Sequence, residues 1–553
     1  MSRKIFTLVN LLLLVSLLLA ACAPAATPAP TEEPQKPVAT EAAPAATEEA
    51  PAATEAPAAP ATTRKGGWLD EIVFSVVASD SAVTQLKAGA IDIYAGGLAS
   101  ADYPSIKEAG LSYGLSNGLY YDILYNPAEF ADGRLNPFSN RKIREATNWL
   151  YDRSYINQEV YAGGGLVKFF AIQTNGPDYA DLADVARRLE SKYAYNLEKA
   201  REVIKAEMEG MGATMNADGK WTYKDQPVTL AFLIRSDSDG TRVPIGDYVA
   251  TQLESVGFTV DRQYKKASEA GPIWLGTDPK EGQWHMYTAA WSSNQISRDD
   301  GPQFQQMYLP TSIQGDMVFQ ANVADPEFQK VGDDLFNSNY TTLEQRREMM
   351  VKAMELSLQD SLQVWLIDGK NYSPYVTNVR VTNDLAAGIE GAQIWPHTVR
   401  FADQEGGQLR WAEPDLFGEG WNAVAGSNWA FDNAAIRATR SGAIMLDPFT
   451  GLDWPLRIER AEVVAQDGLP IGKTLDWVDL KFEPQITVPA DAFVDWDAKA
   501  QKFITAGEKF PDGLTTKTKT VVYYPADLFE TVKWHDGSSL SVAAFVMGLI
   551  LST

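Results

Sequence analysis

The chain runs to 553 residues, with 48 basic against 72 acidic side chains for a formal net charge of −24, and 45% of it is hydrophobic. That excess of negative charge argues against nucleic acid and against an anionic lipid surface as partners. One cysteine, Cys22, and three scattered histidines, His285, His397 and His535, supply neither a disulfide nor any Cys/His metal spacing, so no cofactor or metal ion is expected.

The chain opens with a basic pair, Arg3 and Lys4, and an apolar run from about Leu8 to Ala21 broken only by Asn10 and Ser16. The run is short and sharply ended, which reads as a secretory signal rather than a membrane span. It ends in Leu19-Ala20-Ala21-Cys22, which resembles a bacterial lipobox, whose cysteine is diacylated and becomes the first mature residue. Two acyl chains anchor durably where one binds only marginally. Loss of Arg3 and Lys4 with residues 1–21 leaves 46 basic against 72 acidic residues, about −26. Residues 22–65 then form an acylated cysteine and an Ala/Pro/Thr/Glu-rich tether that buries too little apolar surface to fold. At ~3 Å per residue its prolines let it reach roughly 100 Å.

The remaining chain of about 490 residues carries 15 tryptophans, and its size calls for two or three lobes. Ile72–Val77 reads as a buried strand and Ser81–Gly89 as a short helix closed by its glycine. Tyr120–Tyr125 reads as a strand. Arg141–Val160 reads as one amphipathic helix with Ile143, Ala146 and Leu150 on a single stripe. Val228–Ile234, Ile245–Val256 stopped at Gly257, and Phe258–Gln263 read as strand, helix and strand, with parallel pairing by a right-handed crossover. The class is α/β.

Several stretches together resemble the peptide/nickel-type (family 5) solute-binding proteins of ABC importers. Leu69–Gly97 (LDEIVFSVVASDSAVTQLKAGAIDIYAGG) resembles the family's strand, helix and LKxGxID segment. Asn136–Gly163 (NPFSNRKIREATNWLYDRSYINQEVYAG) resembles its PF…R…A…DR…I…G helix, and Tyr195–Ile204 its Y-x-x-x-x-A segment. Val228–Val260 resembles its strand–helix–QLxxxGxxV unit, His285–Trp291 the strand ending in a cleft tryptophan, and Glu344–Leu356 the late helix. The resemblance implies a periplasmic-binding-protein-like, two-lobed (type II) fold with a hinge, its mixed sheets flanked by helices. It also implies a small-molecule solute, an oligopeptide or an oligosaccharide, and an ABC permease as partners, with the lipid anchor as the membrane contact.

The order of segments departs from that family. Gly406–Trp411 (GGQLRW) resembles its opening strand and Thr531–Val546 (TVKWHDGSSLSVAAFV) its early VKFHDG element, yet both come last here. Residues 66–402 therefore read as the later part of the solute-binding domain and 403–553 as the earlier part, circularly permuted. The permutation predicts that Gly406–Trp411 lies beside Asp70–Val77 in one sheet. Residues 545–553 stop inside what reads as a buried helix, so a longer natural protein is expected.

The resemblance implies ligand-binding residues. Trp291 matches the cleft tryptophan, though it also reads as a core residue. Ser292 follows it, and Asn294 stands where peptide-binding members often carry an aspartate for the ligand's α-amine. An amide cannot give an ammonium the same charge-assisted bond, so Asp299 or Asp300 is a candidate replacement, and an oligosaccharide is an alternative ligand. Asn428 and Trp429 would face the cleft if the permutation holds. One catalytic pattern occurs, Gly114-Leu115-Ser116-Asn117-Gly118, but a nucleophile elbow needs a strand before it and a helix after it. Here a strand follows, so no enzyme is expected.

Replacing Cys22 by serine is expected to release the protein from the membrane fraction. A Cys22→Ser variant that still sediments with membranes would show that acylation is not the anchor.

Overall fold

The computed structural model describes Arg64, residues 66–293, Ile296, residues 298–417, Ser427 and residues 429–552. Cys22, Asn294 and Asn428 lie outside the described residues.

Nine strands form the main sheet: β1 Glu71–Val76, β2 Ile93–Tyr94, β3 Ser112–Tyr125, β4 Leu166–Val167, β5 Thr229–Arg235, β6 Thr259–Lys265, β7 Met286–Ser292, β8 Gln363–Tyr375 and β9 Gln408–Glu413. Their spatial order is β1-β9-β2-β8-β3-β7-β5-β6, with β4 on β8. The pairing predicted from the permuted order is present: β1 runs parallel to β9, with Glu71 opposite Gln408 and Val76 opposite Glu413. β5 and β6 are parallel, as the strand–helix–strand pattern predicted.

Helices flank the sheet. Those used below are α1 Ser79–Lys87, α2 Arg141–Leu150, α3 Arg153–Tyr161, α4 Arg242–Ser255, α5 Leu343–Asp360, the single turn α6 Gly388–Gly391, α7 Ala430–Thr439 and α8 Val542–Ser552. Gly89 and Gly257 follow α1 and α4 with φ of +67° and +98°, a left-handed conformation that ends a helix at little cost only for glycine.

Three expectations need correction. Ile72–Val77 is an edge strand rather than a buried one, because β1 has a single neighbour and leaves Val73 and Val76 exposed. Arg141–Val160 is two helices: Tyr151 turns extended, and Asp152 Oδ1 accepts the N–H groups of Ser154 and Tyr155 at 2.9 and 3.2 Å, starting α3 afresh. Ile143, Ala146 and Leu150 are buried as their spacing predicted. Tyr120–Tyr125 is only the second half of a 14-residue strand, β3. The apolar helix α8 exposes Met547, Leu549 and Leu551.

The two long strands β3 and β8 form an antiparallel ribbon that joins two lobes. In the first lobe, β1, β9 and β2 pack Leu409, Trp411 and Ile93 against Trp395 and Ile389 on one face, and Leu86 and Ile106 pack with Tyr94 and Ala412 on the other. In the second, β7, β5 and β6 pack with the far half of the ribbon and α2 to α5 around the largest core. Register shifts in β8 between Trp365 and Ile367 and between Gly369 and Asn371 mark bulges near the middle of the ribbon; such bulges raise twist and bend strands. There Gly118 N donates to Ala386 O at 2.7 Å, and a Cβ on Gly118 would clash with that oxygen.

The turn α6 docks on the end of β9 through two carboxyls. Glu413, fully buried, accepts Trp411 Nε1–H at 2.6 Å and lies beside Glu390. Burial raises the Glu413 carboxyl well above its ordinary range, and the neighbouring Glu390 raises it further. Burial also pushes Glu390 up to about 7 against the pull of Arg437. Arg437, on α7, donates to the Glu390 backbone carbonyl and so ties α7 to α6.

Two outcomes follow from these contacts. Gly118→Ala is expected to cost about 1–3 kcal/mol in urea melts, because the clash is with a hydrogen-bonded backbone carbonyl; a loss below a few tenths would mean the ribbon yields freely. Glu390 binds its proton more tightly folded than unfolded, so its contribution is full below about 4.5 and is lost as pH rises through about 7. Glu390→Gln should therefore flatten the fall in unfolding free energy between pH of about 5 and about 8. An identical slope in the variant would assign that fall to other groups.

Candidate functional site: the cleft at the ribbon midpoint

The register sends the parallel strands of both lobes toward one place. Along β7, Met286 pairs with Tyr125 and Ser292 with Leu119, so β7 ends at the middle of β3, and β5 runs parallel to it. From the other lobe, Ile93 of β2 pairs with Tyr375 and Leu98 bridges Tyr372, so β2 and its parallel neighbour β9 also end toward the middle of the ribbon. Ligands of open α/β sheets bind beyond the carboxyl ends of parallel strands. Here two sets of such ends converge, and Ser293 N donates to Gly118 O at 2.9 Å where they meet.

One face of the ribbon presents Tyr120, Asp122 and Trp291, since Trp291 pairs with Tyr120 and side chains alternate along a strand. Trp291 is half-buried, its Nε1–H donating to Asp122 Oδ1 at 3.1 Å. Asp122 is 1% exposed, and its Oδ2 has no hydrogen-bond partner among the described residues. Burial pushes its carboxyl well above the usual range, against the pull of the Trp291 N–H and of the Arg242 and Lys168 charges. Beneath it lies a buried ion pair, Lys168 Nζ to Asp368 Oδ1 at 2.9 Å, with Lys168 also donating to Ile172 O and standing over the Tyr120 ring. Thr174 N donates to Asp368 Oδ2 at 3.0 Å.

The residues after β7 part company. Ser292 is exposed, and Ser293 Oγ accepts from Gln173 Nε2 at 2.8 Å. Asp299 accepts Gly301 N–H at 2.9 Å and pairs with Arg346 on α5. Asp300 is buried: its Oδ2 accepts Gln173 N–H at 2.9 Å, and its own N–H donates to Asp178 Oδ2 at 2.7 Å. Arg346 grips Asp178 with both Nη atoms at 2.7 Å, so the loop carrying Asp299 and Asp300 is clamped to α5 and to Asp178.

The opposite face presents Tyr121, whose hydroxyl donates to Asp239. Thr241 N and Oγ1 donate to Asp239 Oδ1 at 3.1 and 2.8 Å, and Tyr161 Oη donates to Thr241 Oγ1 at 3.1 Å. Trp429, from the first lobe, lies under the Arg235 guanidinium of the second at 5.3 Å. Trp291 and Trp429 thus stand on different lobes, each against a charged residue that the sequence patterns did not single out. A charged residue amid Tyr120-Tyr121-Asp122-Ile123-Leu124, an otherwise apolar strand, was the available signal for Asp122. Ser116 of the Gly114–Gly118 pattern sits inside β3, paired with Asn371, so no strand-to-helix elbow exists there.

Residues 63–315 match the family model described as bacterial extracellular solute-binding proteins, family 5 Middle. Among solved structures, the chain is similar to the oligopeptide-binding protein AppA from Bacillus subtilis in complex with a nonapeptide, at 19% identity over 55% of each chain with a TM-score of 0.45. It is similar to NikZ from Campylobacter jejuni in complex with Ni(L-His), at 15% identity over 56% of this chain and 57% of that one, TM-score 0.42. It is also similar to the PBP AgaA from A. tumefacien R10 in complex with agropinic acid, at 16% identity over 59% and 60%, TM-score 0.45. The chain spans 55–60% of the length of these three proteins. No curated protein matches. The match over residues 63–315, just under half of the chain, thus makes this stretch similar to the family 5 extracellular solute-binding proteins, and the mixed two-lobed fold is in keeping with it.

Proposed function

We propose that this chain is a membrane-tethered extracytoplasmic binding protein that delivers a peptide-like solute to an ABC importer and catalyses no reaction. The observation that carries the reading is the convergence of two sets of strand ends on one ribbon, within a chain whose residues 63–315 match a solute-binding family. A ribbon of two strands can flex about its bulges, so the lobes close on a solute as rigid bodies. Cys22 carries the lipid anchor and residues 22–65 the leash. We also read residues 66–402 and 403–553 as permuted parts of one binding domain; the family's middle segment beginning at residue 63 and the β1–β9 pairing support this.

The solute lies against Trp291 and Ser292 on one side and Trp429 on the other, with Asn294, Asp299 and Asn428 as further contacts. An oligosaccharide is the second reading, and one observation favours it. The carboxylate of Asp299 pairs with Arg346, and that of Asp300 is buried under Gln173, so neither stands ready for a peptide amine. Aromatic walls suit a sugar ring as well.

A thermal-shift screen of the lipid-free chain against di- to pentapeptides and oligosaccharides decides between them, because a solute that binds only the folded state raises the melting temperature. Trp291→Ala is expected to weaken binding of the hit by about tenfold or more, which is a loss of ~1.4 kcal/mol, while the unliganded melting temperature changes little. Unchanged affinity would make Trp291 a core residue and return the cleft to Trp429 alone.

A further inference from the structure

Two carboxyl groups of the first lobe are buried side by side. Glu413 ends β9 fully buried, and its Oε2 has no hydrogen-bond partner among the described residues. Glu390, on the single turn α6, lies next to it, and its Oε2 is likewise buried without a partner. Two carboxylates that share a dry site cannot both stay ionised, so such a pair keeps a proton. A shared proton turns repulsion into a charge-assisted O–H···O⁻ bond.

The surrounding elements bring one cation toward the pair. Arg437, on α7, directs Nη1 to the Glu390 backbone carbonyl, and its charge is felt by Glu390 without an ion pair among the described residues. Arg440 and Asp384 act on Arg437 in opposite directions. β2 presents the Tyr94 hydroxyl, buried without a partner and kept neutral by burial and by the charges of Glu413, Asp239, Glu390 and Asp102. β1 places Val76 opposite Glu413, and Trp411 of β9 donates its Nε1–H to Glu413 at 2.6 Å. β3 and β8 turn only Ser116 and Ser373 toward Gly388 of α6, 3.3 and 3.8 Å from where its Cβ would stand.

The position of α6 gives the pair its reach. Just before α6, Leu385 O and Ala386 O accept the N–H groups of Asn117 and Gly118 at 2.9 and 2.7 Å, at the midpoint of the ribbon. Asp384 Oδ1 holds that stretch through the N–H groups of Ala386 and Ala387 at 2.8 and 2.9 Å, and Asp384 and Gly388 exchange backbone bonds at 3.0 Å. Gly118 O in turn accepts Ser293 N–H of the second lobe at 2.9 Å. We propose that Glu390 and Glu413 form a proton-held clasp on the hinge: one proton shared between them keeps α6 docked on β9, and its loss loosens α6 together with the 385–386 contact at the ribbon midpoint. The docked form holds the proton more tightly than the loosened form, with Glu390 pushed up to about 7. Docking is therefore complete below the ordinary carboxylate value of about 4.5 and fades as pH rises through about 7. The clasp works whatever solute the cleft takes.

The test is amide hydrogen exchange of the full chain at pH of about 6 and about 8, corrected for the intrinsic pH dependence of exchange. Peptides covering Asn117–Gly118 and residues 385–391 should exchange about tenfold faster at the higher pH, the scale of one pKa unit, while β5 stays unchanged. Glu413→Gln, whose amide can accept from Trp411 and donate to Glu390, should abolish the difference. Equal exchange of the native chain at both pH values overturns the clasp, as does a difference that survives in Glu413→Gln. A merely structural pair would lower the melting temperature of the variant and leave the pH ratio as it is in the native chain. Should Glu413→Gln fail to fold, Glu390→Gln replaces it under the same readings. Infrared spectra of the native chain decide if both fail: a buried protonated carboxyl band at pH of about 6 that fades by about 8 supports the clasp, and its absence overturns it.

Discussion

Backbone N–H and C=O groups buried away from water must be paired, and a long buried strand has few ways to arrange it. The 14 residues of β3 and the 13 of β8 solve the problem together, as one ladder that runs from the first lobe into the second. Everything else takes its direction from that ladder. β2 and β7 pair with it from opposite ends, β7 reaching Leu119 near its middle and β2 beginning opposite Tyr375 at its end and pointing inward. The cleft is therefore the place where hydrogen-bonding geometry runs out of strand. The same ladder sets the mechanics, because its bulges near Gly369 and the close fit of Gly118 under Ala386 concentrate bending where the strand ends meet.

Buried charge is handled in two ways around that midpoint. Most of it is matched. Lys168 and Asp368 are both nearly inaccessible and carry extra bonds to Ile172 and Thr174, and Arg346 holds Asp178 with both of its terminal nitrogens. Such pairs add little net stability over an apolar replacement, yet breaking one costs about 3–5 kcal/mol, so they act as pins that fix loop positions. The second class is unmatched: Asp122 Oδ2, Arg242 Nε and Trp429 Nε1 have no partner among the described residues. All three belong to segments at the midpoint. Matched charge thus fixes loop positions, whereas these three polar atoms are left unanswered among the described residues.

Much of the architecture was legible in the chain. Strand, helix and strand over residues 228–263 were plain because apolar period and glycine stop agreed, and the β1–β9 pairing was expected from the resemblance of residues 406–411 to a family's opening strand. What failed was tertiary in origin. The helix expected over 141–160 breaks at Asp152, whose side chain prefers to cap a new helix, a competition invisible to a hydrophobic stripe that continues through it. The edge position of β1 was hidden because Ile72-Val73-Phe74 reads the same whether one neighbour or two will pair with it. Of the candidate site, Trp291 was singled out through the family resemblance, but Asp122, the partner that orients it, lies 169 residues away and is brought there by register. Arg242 sits in Asp239-Gly240-Thr241-Arg242, which reads as an ordinary helix start.

That last residue shows where sequence reasoning stops for physical reasons. An arginine in a polar turn is by default a solvated cation, and nothing local distinguishes it. It becomes informative only when the fold removes its water and supplies no carboxylate in return. Burial is decided by elements far along the chain, among them β7 with Tyr287 and β3 with Tyr121, whose ring lies 5.8 Å from the guanidinium. Asp299 and Asp300 make the converse case. Two adjacent aspartates after a cleft tryptophan look available for a ligand, yet Arg346, Gln173 and Asp178 engage them through contacts that only the folded chain creates. In this chain, then, a charge left unanswered in the interior is a property of the tertiary arrangement rather than of any motif.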